Sequence, residues 1–258
     1  MLNIVIPMAG SGSRFVEAAY PDPKPLIPVH GVPMIEVVIN NLRPARAHRF
    51  IFICQEQHER EYQIATYLRT LEPSCDVILL QGITQGAACT VLMAKSTINS
   101  RQPLMIANCD QWIDFSIDTY LDAFQVRQCD GFIMTMRAAE PKWSFVQRDA
   151  AGRVTGVVEK QVVSDEATVG IYNFAAGCDF VTAAEAMIQD NVRVNNEFYV
   201  APVYTRLVAA GRQIETLSIG ADRAGMYGLG TPADLQHFLT CGFGARLQHV
   251  RREIRRAA

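Results

Sequence analysis

The stretch Leu2-Asn3-Ile4-Val5-Ile6-Pro7-Met8-Ala9-Gly10-Ser11-Gly12-Ser13-Arg14-Phe15 decides the architecture. An apolar run of strand length passes into small residues and then a cation, the pattern of a buried strand feeding a tight turn. The same alternation continues outward. Pro33–Leu42 carries a helical pattern, Phe50–Cys54 reads as a strand and His58–Leu71 as a helix. Asp76–Gln81 reads as a strand, Ala87–Ile98 as a helix and Leu104–Asn108 as a strand. This rhythm predicts an α/β fold with a Rossmann-like, mostly parallel twisted sheet flanked by helices. Any ligand is then expected along the carboxyl ends of the strands.

The second half changes character. Gly131–Arg137, Phe145–Arg148, Val154–Glu159 and Thr168–Phe174 are strand candidates, with turn residues at Asp149–Gly152 suggesting a hairpin. Helical patterns return at Phe180–Gln189, Tyr199–Ala210 and from Pro232 onward. No linker or repeat interrupts the chain. The expectation is one domain over 1–258, with a nucleotide-binding half (1–130) and a smaller β-rich, acceptor-binding extension plus C-terminal helix (131–258). The helix predicted over Pro232–Glu253 is a candidate homo-oligomer interface. The basic tail Arg251–Arg256 reads as a solvated helix end, with an anionic-surface contact as the alternative.

Bulk properties narrow the class. The 258 residues are 49% hydrophobic and 19% charged, with formal net charge -2, so neither nucleic acid nor membrane is expected as a partner. No apolar run approaches the roughly 18 residues of a membrane span, and Met1–Met8 lacks a basic leader, so a cytoplasmic location is expected. Seven scattered cysteines without a CxxC pair read as reduced thiols rather than a zinc site.

The turn carries the first chemical signal. Small residues after a strand let backbone N–H groups converge on an anion, and Gly10 and Gly12 permit turns barred to larger residues. A dinucleotide fingerprint is excluded because its third glycine falls on Phe15, and a Walker loop because no Gly-Lys-Ser/Thr follows. What remains is either a plain βα turn or a phosphate cradle ending in Arg14, a fixed bidentate phosphate ligand. Pro23-Lys24-Pro25-Leu26-Ile27-Pro28 holds Lys24 in a stiff segment, which limits the entropy lost on meeting a phosphate; an incidental surface lysine is the alternative.

Taken together, Met8–Phe15, Pro23–Pro28 and the Gly31–Met34 turn resemble the opening signature of sugar-phosphate nucleotidyltransferases. The resemblance extends over roughly Met1 to Leu239 and includes a branch that makes precursors of capsule and other surface glycans. It implies that Met8, Ala9, Gly10, Ser11, Gly12 and Ser13 line the nucleotide phosphates, and that Gln81, Gly86 and Ala87 meet the base. Gln81 offers both donors and acceptors to a base edge. The base itself stays open, with a pyrimidine favoured. Asp110, ending an apolar strand, is a natural Mg²⁺ ligand or else a turn cap; the resemblance implies the metal. It further implies that Glu159 and Lys160 meet the acceptor and its phosphate, that Gly170 and Tyr172 pass beside it, and that Glu197 faces it. Trp143 is either core or acceptor-pocket lining.

Catalysis is expected to rest on Arg14, Lys24, Asp110 and Lys160: a phosphate oxygen of a sugar phosphate or other small phosphorylated metabolite attacks the α-phosphorus of a nucleoside triphosphate, and pyrophosphate leaves. A phosphate nucleophile is already ionised, so charge neutralisation and positioning suffice. In Gly228-Leu229-Gly230-Thr231-Pro232 the chain departs from the family, which places a metal-binding Asp where Gly228 stands. Either Asp110 holds the metal with triphosphate and water, or another acid such as Asp222 substitutes. Two other classes compete: a nucleotide-sugar glycosyltransferase, disfavoured because Asp110-Gln111-Trp112 lacks Asp-x-Asp, and a non-catalytic nucleotide or sugar-phosphate sensor, favoured by the missing acid.

Overall fold

A computed structural model describes residues 1–249. The first half lays down β1 (Leu2–Pro7), α1 (Ser13–Glu17), a 3-10 turn at Lys24–Leu26, β2 (Pro28–Val29), β3 (Val32–Pro33), α2 (Met34–Leu42) and β4 (His48–Gln55). It continues with α3 (Glu56–Tyr62), α4 (Ile64–Leu71), β5 (Asp76–Leu80), α5 (Ala87–Leu92), α6 (Lys95–Ile98), β6 (Leu104–Ala107), β7 (Gln111–Ile113) and α7 (Ile117–Arg127). The second half adds β8 (Gly131–Arg137), β9 (Ser144–Arg148), β10 (Val154–Glu159), β11 (Glu166–Phe174), α8 (Gly177–Gln189), α9 (Val203–Ala209), β12 (Ile214–Asp222), β13 (Gly225–Gly228) and α10 (Pro232–Thr240).

One sheet runs through both halves in the order β5-β4-β1-β6-β11-β8-β12-β13-β7, with the β9–β10 hairpin attached through β11. Pairing is parallel from β5 to β6 and from β8 to β13, and antiparallel where β11 is inserted between β6 and β8 and where β7 closes the edge. β1 reads as a continuous apolar run because it is covered on both faces. Ile4 and Ile6 pack with α2, α4 and α7 on one side, and Val5 packs with α5, α8 and α9 on the other. A third cluster, including Phe15, Trp112, Leu235 and Phe238, ties α1 and α10 to the end of the sheet.

The topology places the site. From β1 the chain moves outward to β4 and β5, then returns across β1 to form β6 on its other side. The carboxyl ends of β1 and β6 therefore border the crevice at the switch point, where ligands of open α/β sheets bind. The glycine turn leaves the first and Asn108–Asp110 leaves the second.

Two expected helices are broken and a third is shortened. His58–Leu71 is interrupted at Gln63, which takes a left-handed φ of +52°, while the Glu59 carboxylate accepts from the Ala65 N–H at 2.7 Å and starts a new helix. Ala87–Ile98 splits at Met93–Ala94 into α5 and α6. Tyr199–Ala210 begins only at Val203, after Pro202. The C-terminal helix ends at Thr240, where Gly242 at φ +75° turns the chain; residues 244–249 are helical again, and 250–253 and the Arg251–Arg256 tail lie outside the described residues. Strands β7, β12 and β13 had no counterpart in the sequence reading. No helix among the described residues is long and apolar enough to cross a membrane.

Candidate active site

The crevice contains a cavity of about 390 Å³. Arg14, Lys24, Asp110 and Lys160 all line it, together with Ala87, Trp143, Glu159, Gly170, Tyr172 and Glu197. Ten of the residues singled out from the sequence thus meet in one place, drawn from positions 14 to 197.

The glycine turn is built as a backbone device. Met8 and Ala9 are buried in the core, and the Met8 N–H already donates to Ile53 O at 2.9 Å. Gly12 takes φ +62° ahead of α1, and among the described residues the N–H groups of Gly10 to Ser13 have no backbone partner. Gln55 Nε2 donates to the carbonyls of Ala9 and Gly10 at 3.1 and 2.9 Å, which satisfies those oxygens within the protein. Arg14 is exposed and lines the cavity, whereas Gly10, Ser11, Gly12 and Ser13 are not part of its wall.

Lys24 and Asp110 form the central ion pair, Nζ to Oδ2 at 2.5 Å, each side chain 22% exposed. Burial alone pulls the Lys24 ammonium pKa down, but the Asp110 charge and hydrogen bond, with Cys109 adding to them and Arg14 opposing, carry it above its ordinary value. Lys24 is therefore a fixed cation. Burial pushes the neighbouring Cys109 thiol up to about 11, so it is uncharged at neutral pH. Asp110 stands where it does because residue 230 is glycine: a Cβ there would lie 2.4 Å from Asp110 Oδ2. Leu229 N donates to Asp110 O at 2.8 Å and fixes the contact.

An exposed-edge carboxylate, cradled against a glycine at the end of a strand, suits a hard divalent cation. Among the described residues no three His, Cys, Asp or Glu side chains are gathered as a metal cage. A cation held by Asp110 would take most of its remaining ligands from water and phosphate oxygens, as Mg²⁺ commonly does. Asp222, the expected replacement for an acid at Gly228, does not line the cavity; its carboxylate points to Lys142 at 3.9 Å.

The opposite wall comes from the β-rich half. Lys160, at φ +54°, donates from Nζ to Tyr199 Oη at 2.5 Å with its ammonium 4.6 Å from that ring's centroid. Burial, then the hydrogen bond and charge of Glu197, drive the Tyr199 phenol pKa well up, so it stays protonated. Gly170 accepts at its carbonyl from Asn108 N and Gln111 Nε2 at 3.0 and 3.2 Å, joining the two walls. Trp143 both packs on the core and lines the cavity. Lys142 and Ser144, the cation and hydroxyl beside Trp143, also line it, as do Asn108, Thr168, Tyr199 and Asp234, to which the sequence assigns no role. Gln81 is exposed at the end of β5 and is not in the cavity wall.

Gly86 has a structural reason. At φ +127°, a Cβ there would lie 2.5 Å from Phe198 N, in the backbone segment that carries Glu197 and Tyr199. Phe198 N donates to Gln85 O and Ala88 N to Phe198 O, at 2.8 and 2.9 Å. Gly86→Ala is expected to lower stability by about 1–3 kcal/mol and to impair turnover by displacing that segment. Urea unfolding checks it, and a variant as stable as the parent would contradict this packing.

Glu159 is 8% exposed and accepts from the Ser144 hydroxyl. Burial raises its pKa; Ser144 and Lys160 pull it down and Glu197 pushes it up, leaving it above the ordinary value. A raised carboxyl pKa means the ionised form costs stability above that pKa, a cost relieved as pH falls through it. Glu159→Gln keeps an acceptor for Ser144 and is expected to raise Tm by about 2–4 °C at neutral pH, with the gain shrinking toward acid. Calorimetry across pH tests this; an unchanged or lower Tm at neutral pH would count against it.

Comparison with known proteins agrees with this geometry. A family model described as nucleotidyl transferase matches residues 4–202. The bifunctional protein GlmU of Cupriavidus metallidurans is 27% identical over 168 residues, 64% of this chain and 35% of that protein. The GlmU of Synechococcus sp. is 25% identical over 221 residues, 81% of this chain and 46% of that protein. The chain therefore spans between about a third and about half the length of these curated relatives. Among solved structures, a nucleoside-diphosphate-sugar pyrophosphorylase from Vibrio cholerae superposes with a TM-score of 0.79 at 26% identity, covering 92% of this chain and 99% of that one.

Proposed function

Since the chain belongs to the nucleotidyl transferase family, we propose that it couples a nucleoside triphosphate to a sugar phosphate or other small phosphorylated metabolite and releases pyrophosphate. The observation that carries this is the meeting, in one cavity, of Arg14, Lys24, Lys142 and Lys160 with the carboxylate of Asp110. Four cations around one cavity suit two phosphate-bearing substrates.

In this reading residues 1–130 hold the triphosphate. The glycine turn's N–H groups and the Arg14 guanidinium neutralise its β- and γ-phosphates, and Lys24 meets the α-phosphate. Lys160, from the 131–258 half, seats the acceptor phosphate, so its oxygen and the α-phosphorus are held at reacting distance. That oxygen bonds to the α-phosphorus as the bond to the pyrophosphate oxygen breaks, and the added charge is met by Lys24 and Arg14. Mg²⁺, held by Asp110, would neutralise phosphate charge and lower the barrier to departure. Glu159, Glu197 and Tyr199, with the amides of Asn108 and Gln111, offer donors and acceptors to a hydroxyl-rich acceptor beside Gly170, Tyr172 and Trp143. A pyrimidine base near Gln81, Gly86 and Ala87, a cytoplasmic location and a role in surface-glycan precursor synthesis complete the reading.

The test is pyrophosphate release with Mg²⁺, with CTP, UTP, dTTP, GTP and ATP each set against a pool of sugar phosphates and phosphorylated metabolites. Acceptor-dependent release with one nucleotide is expected. Nucleotide binding without release across the panel would favour a sensor.

A further inference from the structure

A second lysine–carboxylate pair lines the cavity beside the first. Asp234, in the first turn of α10, receives Lys142 Nζ at 3.4 Å from its Oδ1. It is 13% exposed at the side chain and is oriented by the Thr231 hydroxyl, which donates to its Oδ2 at 2.8 Å. Between this pair and Lys24–Asp110 runs Gly228-Leu229-Gly230, whose two glycines line the cavity. A Cβ on Gly230 would strike Asp110 Oδ2 at 2.4 Å, and one on Gly228 would meet Asp234 Oδ2 at 3.6 Å. The two carboxylates thus face one strip of backbone that carries no side chain at either end.

We propose that Asp234 is the second carboxylate of the divalent-cation site, acting with Asp110 over the Gly228–Gly230 strip, and that Lys142 is its counter-ion when no cation is bound. The inference rests on the metal-dependent reading above. Each acid faces a lysine from another element, and Asp234 Oδ1 also lies 3.7 Å from Arg223 Nη2, so each can exchange a protein ammonium for a cation–phosphate complex without leaving a bare charge. Lys142 can withdraw without losing all its partners, because Glu140 and Asp222 lie 3.4 and 3.9 Å away and its ammonium is 4.8 Å from the Trp143 ring centroid. Asp222 belongs to that lysine nest and not to the cation site.

Mn²⁺ titration followed by electron paramagnetic resonance, with Mn²⁺ alone and with inorganic tripolyphosphate, tests this apart from activity. Asp234→Asn is expected to weaken Mn²⁺ binding about tenfold or more, by loss of ligand charge. Asp222→Asn should stay within about twofold of the parent on the same scale. Lys142→Met should bind Mn²⁺ more tightly than the parent, a gain that neither misfolding nor a purely structural ion pair would produce. Asp234→Asn binding as the parent does, or Asp222→Asn being the variant that loses binding, would overturn the proposal while leaving the transferase reading intact. Absence of Mn²⁺ binding by the parent, with or without tripolyphosphate, would overturn both this assignment and the metal-dependent reading.

Discussion

Lys24→Ala is expected to lower turnover by about 10²–10³-fold or more, the scale of removing one fixed charge from a reacting phosphate. The side chain stands in the cavity wall on a turn that Pro23 and Pro25 stiffen, and Asp110 holds its ammonium in place at 2.5 Å. The protein should remain folded. Removing one member of a partly exposed pair costs stability between the ~0–1 kcal/mol of surface pairs and the ~3–5 kcal/mol of buried ones. Steady-state kinetics beside circular dichroism separates the two effects. Near-normal turnover from folded Lys24→Ala protein would remove Lys24 from the chemistry.

Asp110→Ala should produce a loss at least as large, again about 10²–10³-fold, with a weaker response to Mg²⁺. Its carboxylate is the cavity's acid at the carboxyl end of β6, and the space against Gly230 is shaped to it. Lys24 and Asp110 act as one unit, so Lys24→Ala/Asp110→Ala should be far less impaired than the product of the single losses. Multiplicative losses would mean that the two residues work separately.

The first half was legible because its signals are local. Strand periodicity marked β1, β4, β5 and β6 within a residue or two; the glycine turn and Asp110 lie on the segments that leave β1 and β6, and Lys24 lies in the proline-flanked turn after α1. β12 was missed although Ile214–Asp222 alternates, since its glycine at 220 and polar residues read as loop without a partner strand in view. The broken helices were missed because a left-handed Gln63 and a turn at Met93–Ala94 leave no mark in apolar spacing. In the site, Lys160 and Glu197 came from resemblance, whereas Lys142, Tyr199 and Asp234 depend on elements far apart in sequence meeting across the cavity. Gln55 shows the same limit: its value lies in two hydrogen bonds to carbonyls 45 and 46 residues away. The sequence marks Gly86 only as a residue beside the base, and its packing on Phe198 is visible only once that backbone is placed.

The most direct test of the central claim is the fate of oxygen in a single turnover. With the acceptor phosphate labelled with ¹⁸O, ³¹P nuclear magnetic resonance of the products should place the label in the new bridge to the α-phosphorus and leave the released pyrophosphate unlabelled. Label in pyrophosphate or inorganic phosphate, or pyrophosphate formed without acceptor, would contradict nucleotidyl transfer by this cavity.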